Sequence, residues 1–182
     1  MAKALALAVF AAVALGGCAV MDQEYPASWD PLPPAMSPNC SSFAGSYADR
    51  GEMTGSASQP SLTYGLFGHH GGWQNVRRVD FAFPQPEVLE ITAWDAEKPL
   101  FTRQLSTNAG DFACKQGRLI VRSKRWVAAD LVAGREDVTI EFAAAGQRLV
   151  AHVQEKTYGA IFAVVPIAGT AGRWYRFARL AP

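Results

Sequence analysis

The chain has 182 residues, 49% of them hydrophobic and 18% charged, with 17 Lys+Arg against 16 Asp+Glu. Residues 1–17 read as a removable export signal; without them 165 of the 182 residues remain, and the loss of Lys3 leaves 16 Lys+Arg balancing 16 Asp+Glu. That length suits one domain, the balanced charge excludes the basic footprint a nucleic-acid binder needs, and a hydrophobic content of about 45% after the signal excludes disorder.

In chain order, Lys3 supplies a basic start and residues 4–15 are an unbroken run of Ala, Leu, Val and Phe. This is the apolar segment of a secretory signal and is too short to span a bilayer as a helix. The run ends in Leu15-Gly16-Gly17-Cys18, which resembles the lipobox of bacterial lipoproteins. The resemblance implies that Cys18 becomes the acylated first residue of the mature chain. Each buried methylene of its acyl chains would hold the protein to the membrane by about 0.8 kcal/mol. In Gram-negative lipoproteins an Asp after that cysteine retains the protein in the inner membrane. Here the residue is Ala19, so the resemblance implies the outer membrane, with the domain facing the periplasm.

Residues 18–39 carry Pro26, Pro31, Pro33, Pro34 and Pro38 with almost no apolar periodicity. Proline fixes φ and cannot feed a sheet ladder, so a stiff extended tether is expected here, with the folded domain at residues 40–182. Cys40 and Cys114 are the two cysteines beyond Cys18. In an oxidising envelope compartment a lone pair is expected to be joined, and neither has the C-x-x-C or Cys/His spacing of a metal or redox site.

From Cys40 the apolar pattern has period two, interrupted by turn residues every eight to twelve positions, which specifies antiparallel β-structure. Residues 43–47 open it. Val79, Phe81 and Phe83 alternate with Arg78 and Asp80, and Leu89, Ile91 and Ala93 with Glu90 and Thr92. Residues 100–105, 119–123, 138–142, 149–153 and 174–180 continue the series. Residues 84–86, 95–97, 115–117 and 144–146 read as the connecting turns. The expected fold is all-β: a meander of about eight strands that hides its edges by closing, or nearly closing, into a barrel. Val79, Phe81, Phe83, Leu89, Ile91, Val138, Ile140 and Phe142 are expected in one core. Residues 61–67 suit a short helix. Residues 158–167, apolar on both faces, suit either a fully buried strand or a loop plugging the barrel.

Gly45-Ser46-Tyr47 is similar to the G-x-W opening of lipocalin-like barrels, with Tyr47 in place of the tryptophan. That resemblance implies an end-closing arrangement in which Tyr47 packs near Trp174 or Tyr175 and either Arg173 or Arg176 lies over an aromatic face. More broadly, Pro38-Asn39-Cys40, Arg50-Gly51-Glu52 and the run from Gly172 through Arg173-Trp174-Tyr175-Arg176 to Phe177 are similar to small proteobacterial envelope lipoproteins. This second likeness brings no activity with it.

No catalytic signature is present: there is no G-x-S-x-G, H-E-x-x-H, Walker or dinucleotide motif. His69 and His70 are adjacent in a glycine-rich stretch, where side chains of an extended chain point apart, so no metal is expected. His152, Glu90, Glu141 and Asp80 lie on polar strand positions, the ordinary place for solvated charge. The expected function is therefore a non-catalytic binding module, not an enzyme, with no cofactor and no nucleic-acid partner. It meets the membrane through its lipid and binds an envelope protein or polymer. The alternative is a lipocalin-like carrier or sensor of a small apolar ligand, which requires a hollow barrel.

Overall fold

The structure, a computed structural model, describes residues 18–34, 40–68, 72–129, 132–161 and 165–181. The export signal and the His69–His70 pair lie outside these residues. Among the described residues ten strands form two sheets. The larger has the order β1-β10-β9-β8-β7-β6 and the smaller β2-β3-β4-β5, where β1 is Cys18–Asp22, β2 Gly45–Ala48, β3 Arg78–Gln85, β4 Val88–Asp95, β5 Lys98–Ser106, β6 Phe112–Lys115, β7 Arg118–Ala129, β8 Val132–Ala145, β9 Arg148–Ile161 and β10 Val165–Ala178. From β2 to β5 and again from β6 to β10 each strand pairs antiparallel with the next, as the meander pattern requires.

The turns follow their chemistry. Between β6 and β7, Gln116 and Gly117 take φ of 49° and 68°, positive at both central positions as the twist of a two-residue hairpin demands. Residues 61–67 supply the short helix α1, Leu62–Phe67, which Ser61 caps by accepting from the Tyr64 N–H at 3.0 Å. Asp49, fully buried, accepts from the Thr63 N–H at 2.8 Å and from the Ser61 hydroxyl at 3.1 Å, so the loop after β2 holds the start of the helix. Leu62, Leu66 and Phe67 then enter the core.

Of the expected core, Val79, Phe81, Leu89, Ile91, Val138, Ile140 and Phe142 are each at most 2% exposed and share one cluster, with Phe83 half-buried at its margin. The cluster spans both sheets. Phe81 of β3 meets Phe142 of β8 edge-on at 5.7 Å, and Phe83 meets Phe112 of β6 at 6.2 Å. Face-to-face packing of two sheets through such rings is a filled interior.

Three expectations are corrected. The sheet does not close into a barrel: among the described residues β5 and β6 share no ladder, and the region of β2 meets the end of the chain through isolated bridges, Tyr47 to Arg179 just past β10 and Glu52, beyond β2, to Arg176. Residues 158–161 and 165–167 are neither a plug nor a fully buried strand: they form the far ends of β9 and β10, with Tyr158 48% exposed, and residues 162–164 lie outside the described residues. Finally, the described part of the proline-rich segment is not a free tether. Cys18–Asp22 pairs parallel with β10, Cys18 opposite Ala168 and Asp22 opposite Gly172. Beyond it Trp29, at 9% exposed, packs with Ala143, Ala145 and Val150 on the outer face, flanked by Tyr25, Leu32 and Trp174. The prolines rule out interior ladder positions but leave the aromatic side chains between them free to dock.

Candidate functional site

The residues chosen from sequence for barrel closure are divided by strand alternation. On β10, Arg173 and Tyr175 face the smaller sheet while Trp174 and Arg176 face outward, because successive side chains alternate. Tyr47 is 2% exposed and donates its hydroxyl to the Phe43 carbonyl at 2.8 Å. Burial pushes that phenol up in pKa, against the pull of Arg179. The arginine over its ring is Arg179, 5.8 Å from the centroid, which also donates to the Ala44 carbonyl at 2.5 Å. Arg176 instead covers Trp29 at 5.0 Å and pairs with Glu52 at 2.6 Å. Arg176, first by its hydrogen bond, holds the Glu52 carboxyl below its usual range, with Arg148 adding to the effect. Trp174 stacks on His152 at 4.2 Å, donates to the Gln23 carbonyl at 3.0 Å, and leaves His152 3.1 Å from Asp22. The contact between β2 and the C-terminal end of the chain therefore exists, but it runs through Arg179, three residues beyond Arg176.

Cys40 and Cys114 are joined, with Cα atoms 5.7 Å apart, tying the entry to the four-stranded sheet to the edge of the six-stranded one. Cys18 begins β1.

The charged residues that sequence reasoning missed lie on the inner face of the larger sheet, just past the apolar core. Arg125 of β7 is in register with Glu136 of β8, and Glu136 with Thr157 of β9. Arg125 donates to Glu136 at 2.5 Å and to Glu155 at 3.1 Å, and its guanidinium lies 5.2 Å over the Tyr64 ring of α1. Thr157 donates to Glu136 at 3.3 Å, and Arg173 approaches Glu155 at 3.6 Å. Burial first, and then the neighbouring Glu136, push the Glu155 carboxyl up, with Arg125 and Arg173 opposing. Burial likewise raises the Tyr175 phenol, against the pull of Arg173 beside it. Two cations thus offset two carboxylates. Each carboxylate is already engaged by an arginine, so the cluster caps the open end of the core as an ion network. A signal existed: Arg125, Glu136 and Glu155 occupy positions that continue the apolar phase of their strands.

Beside this cluster, at the outer edge of β7, lies an open groove of about 640 Å³ lined by Arg103, Asp111, Arg122, Lys124, Asp137, Lys156 and Tyr158 among others. It exists because β6 is only four residues long. β6 covers β7 as far as Arg122, whose N–H reaches the Asp111 carbonyl at 2.8 Å. Among the described residues no strand pairs with residues 123–129 on that side. Glu90 is engaged by Gln104 at 2.9 Å, Asp80 by Arg78 at 3.1 Å and Glu141 by Arg118 at 3.6 Å. No group of three metal-ligating side chains occurs among the described residues.

Comparison of the chain with family models, with curated proteins and with solved structures found no match.

Proposed function

We propose that this protein is a lipid-anchored, non-catalytic interaction module of the cell envelope, held by Cys18 at the outer membrane on its periplasmic side. It recognises an extended segment of an envelope partner along the uncovered edge of β7. The observation that carries the reading is that edge and its groove: the edge is uncovered from residue 123 on, and where Ser123 and Lys124 line the groove it stands beside four cations and two carboxylates. An extended chain adds to such an edge through main-chain hydrogen bonds, while flanking side chains select it. The filled core supports this reading over a carrier of small apolar ligands, since the rings of Phe43, Tyr47, Phe81, Phe112, Phe142 and Phe177 occupy the space between the sheets.

Two measurements test it. Mass spectrometry of the native N-terminus should find acylated Cys18 and no trace of residues 1–17; a bare cysteine or another cleavage site refutes the anchor. A photo-crosslinking residue at Lys124 in living cells should capture a discrete partner. The double charge reversal Arg122→Glu, Lys156→Glu should abolish that product, and the same probe at Gln147, at the other end of the sheet, should capture nothing. Absence of a product at Lys124, or a product indifferent to the charge reversal, ends the edge-recognition reading.

A further inference from the structure

Strands β7 to β10 run well past the core, and their far ends change character in an ordered way. On the outer face, one row across the ladder is Lys124, Asp137, Lys156 and Thr170, in register with Val20 of β1. Two residues further out the row is Trp126, Arg135, Tyr158 and Ala168, in register with Cys18 itself. Trp126 is 82% exposed and Tyr158 48%, the latter with the Arg135 guanidinium 6.0 Å over its ring. Beyond that row the described residues are 127–129, 132–134, 159–161 and 165–167, made up of Val, Ala, Gly, Ile and Pro without one polar side chain. Asp130, the one charge in the flanking sequence, lies outside the described residues. The inner face passes directly from Arg125 and Glu136 to Val127, Gly134, Gly159 and Ile167, with no aromatic row between.

Charge on both faces, exposed aromatic rings on the outer one, and then an apolar end on both is the sequence of environments met on passing from water through lipid head groups toward acyl chains. A protein partner would have to wrap both faces of a thin sheet end, whereas a bilayer surrounds it. The register supplies the position: the residue that carries the acyl chains lies in the aromatic row. Three more residues at about 3.3 Å each put the apolar end about 10 Å deeper, within the head-group region. The unpaired edge of β7 limits insertion to that depth, where water and head groups still satisfy backbone groups. Lys124 and Lys156 then sit at the height of the lipid phosphates, to which they are attracted.

We propose that the protruding end of the six-stranded sheet, with Trp126 and Tyr158 at its waist, inserts into the head-group layer of the bilayer that holds Cys18. This rests on the lipid anchoring proposed above, and it fixes the domain's orientation: the core is held upright on the membrane, Tyr158, Lys124 and Lys156 at the low end of the groove meet the head groups, and its end at Arg103, Asp111 and Arg122 stands above the surface.

The test uses the full mature chain carrying Ala128→Cys labelled with an environment-sensitive fluorophore, the label's site verified by peptide mass. It is added to vesicles of phosphatidylethanolamine and phosphatidylglycerol. Gln147→Cys is the control, and both positions are exposed, so neither label disturbs the core. The Ala128 label should be quenched about two-fold by lipid carrying a nitroxide near the head group and shielded from aqueous iodide, because interfacial segments lie about 5 to 10 Å deep. The Gln147 label should show the reverse. A vesicle-bound protein whose Ala128 label iodide quenches as freely as that at Gln147 overturns the proposal. So does shielding from iodide without nitroxide quenching, which would mean that a second copy covers the sheet end. The mass of the N-terminus separates this from the anchor: with Cys18 bare, nitroxide quenching at Ala128 still supports insertion, and a chain that stays in solution overturns it.

Discussion

Replacing Arg125 by Met removes the cation between two partly buried carboxylates. Arg125, Glu136 and Glu155 have side chains 19%, 12% and 23% exposed. At an effective dielectric of about 20, unit charges at the 3.1 Å Arg125–Glu155 separation attract by about 5 kcal/mol. Desolvation of the three groups cancels much of this, and breaking a buried pair by removing one partner costs about 3 to 5 kcal/mol. Residual exposure places the expected loss near 3 kcal/mol, a fall of about 1.5 M in urea midpoint at a slope of about 2 kcal/mol/M. The pH dependence gives a second readout. Glu155 is raised above its ordinary value in the folded chain, so just above that value the folded state binds more protons than the unfolded. Its contribution to stability is fully present at pH below the ordinary value and is lost as pH rises through the folded value. Without Arg125, which opposes the rise, that window widens, and the variant's deficit should be smaller at about pH 5 than at about pH 7. Adding Glu155→Gln should recover part of the loss at neutral pH. A deficit under about 1 kcal/mol, or one equal at both pH values, would refute the account of the cluster as a mutually neutralised ion network.

Other outcomes follow from the packing. The double variant Cys40→Ser, Cys114→Ser releases a loop with a sequence separation of 74 and should lose about 4 kcal/mol in equilibrium unfolding; an unchanged midpoint would mean the bond adds no constraint. Gly51→Ala places a Cβ 2.6 Å from the Phe177 ring and 2.7 Å from the Arg176 carbonyl, so calorimetry should show a loss of about 2 kcal/mol. Asp49→Ala removes the acceptor of the Thr63 N–H inside a fully buried site. It should cost about 2 kcal/mol and expose the amides of α1 first to hydrogen exchange.

The fold class was legible because half of each strand is a clean alternation. Leu119, Val121, Val138, Ile140, Phe142, Leu149, Ala151 and Val153 all face the core at period two, and that phase is a local property of the chain. The other halves broke the pattern. Around Arg125, Glu136 and Glu155 the core phase carries charge, and beyond them both phases are apolar, so strands of twelve and fourteen residues read as runs of five to seven. Only pairing reveals that these charges neutralise one another across neighbouring strands.

The sequence by itself determined the all-β class, the identity of the core, the short helix and the pair of cysteines, because each depends on spacing or residue chemistry within reach of a few positions. Tertiary structure decided the rest: two sheets rather than a closed barrel, Arg179 rather than Arg173 or Arg176 over Tyr47, Cys18–Asp22 as a strand on β10, and the bare edge of β7. Each of these depends on which strand end meets which, a question of register and twist between segments distant in the chain. Proline content suggested a spacer before residue 40, yet Trp29 found a surface only the folded sheet presents.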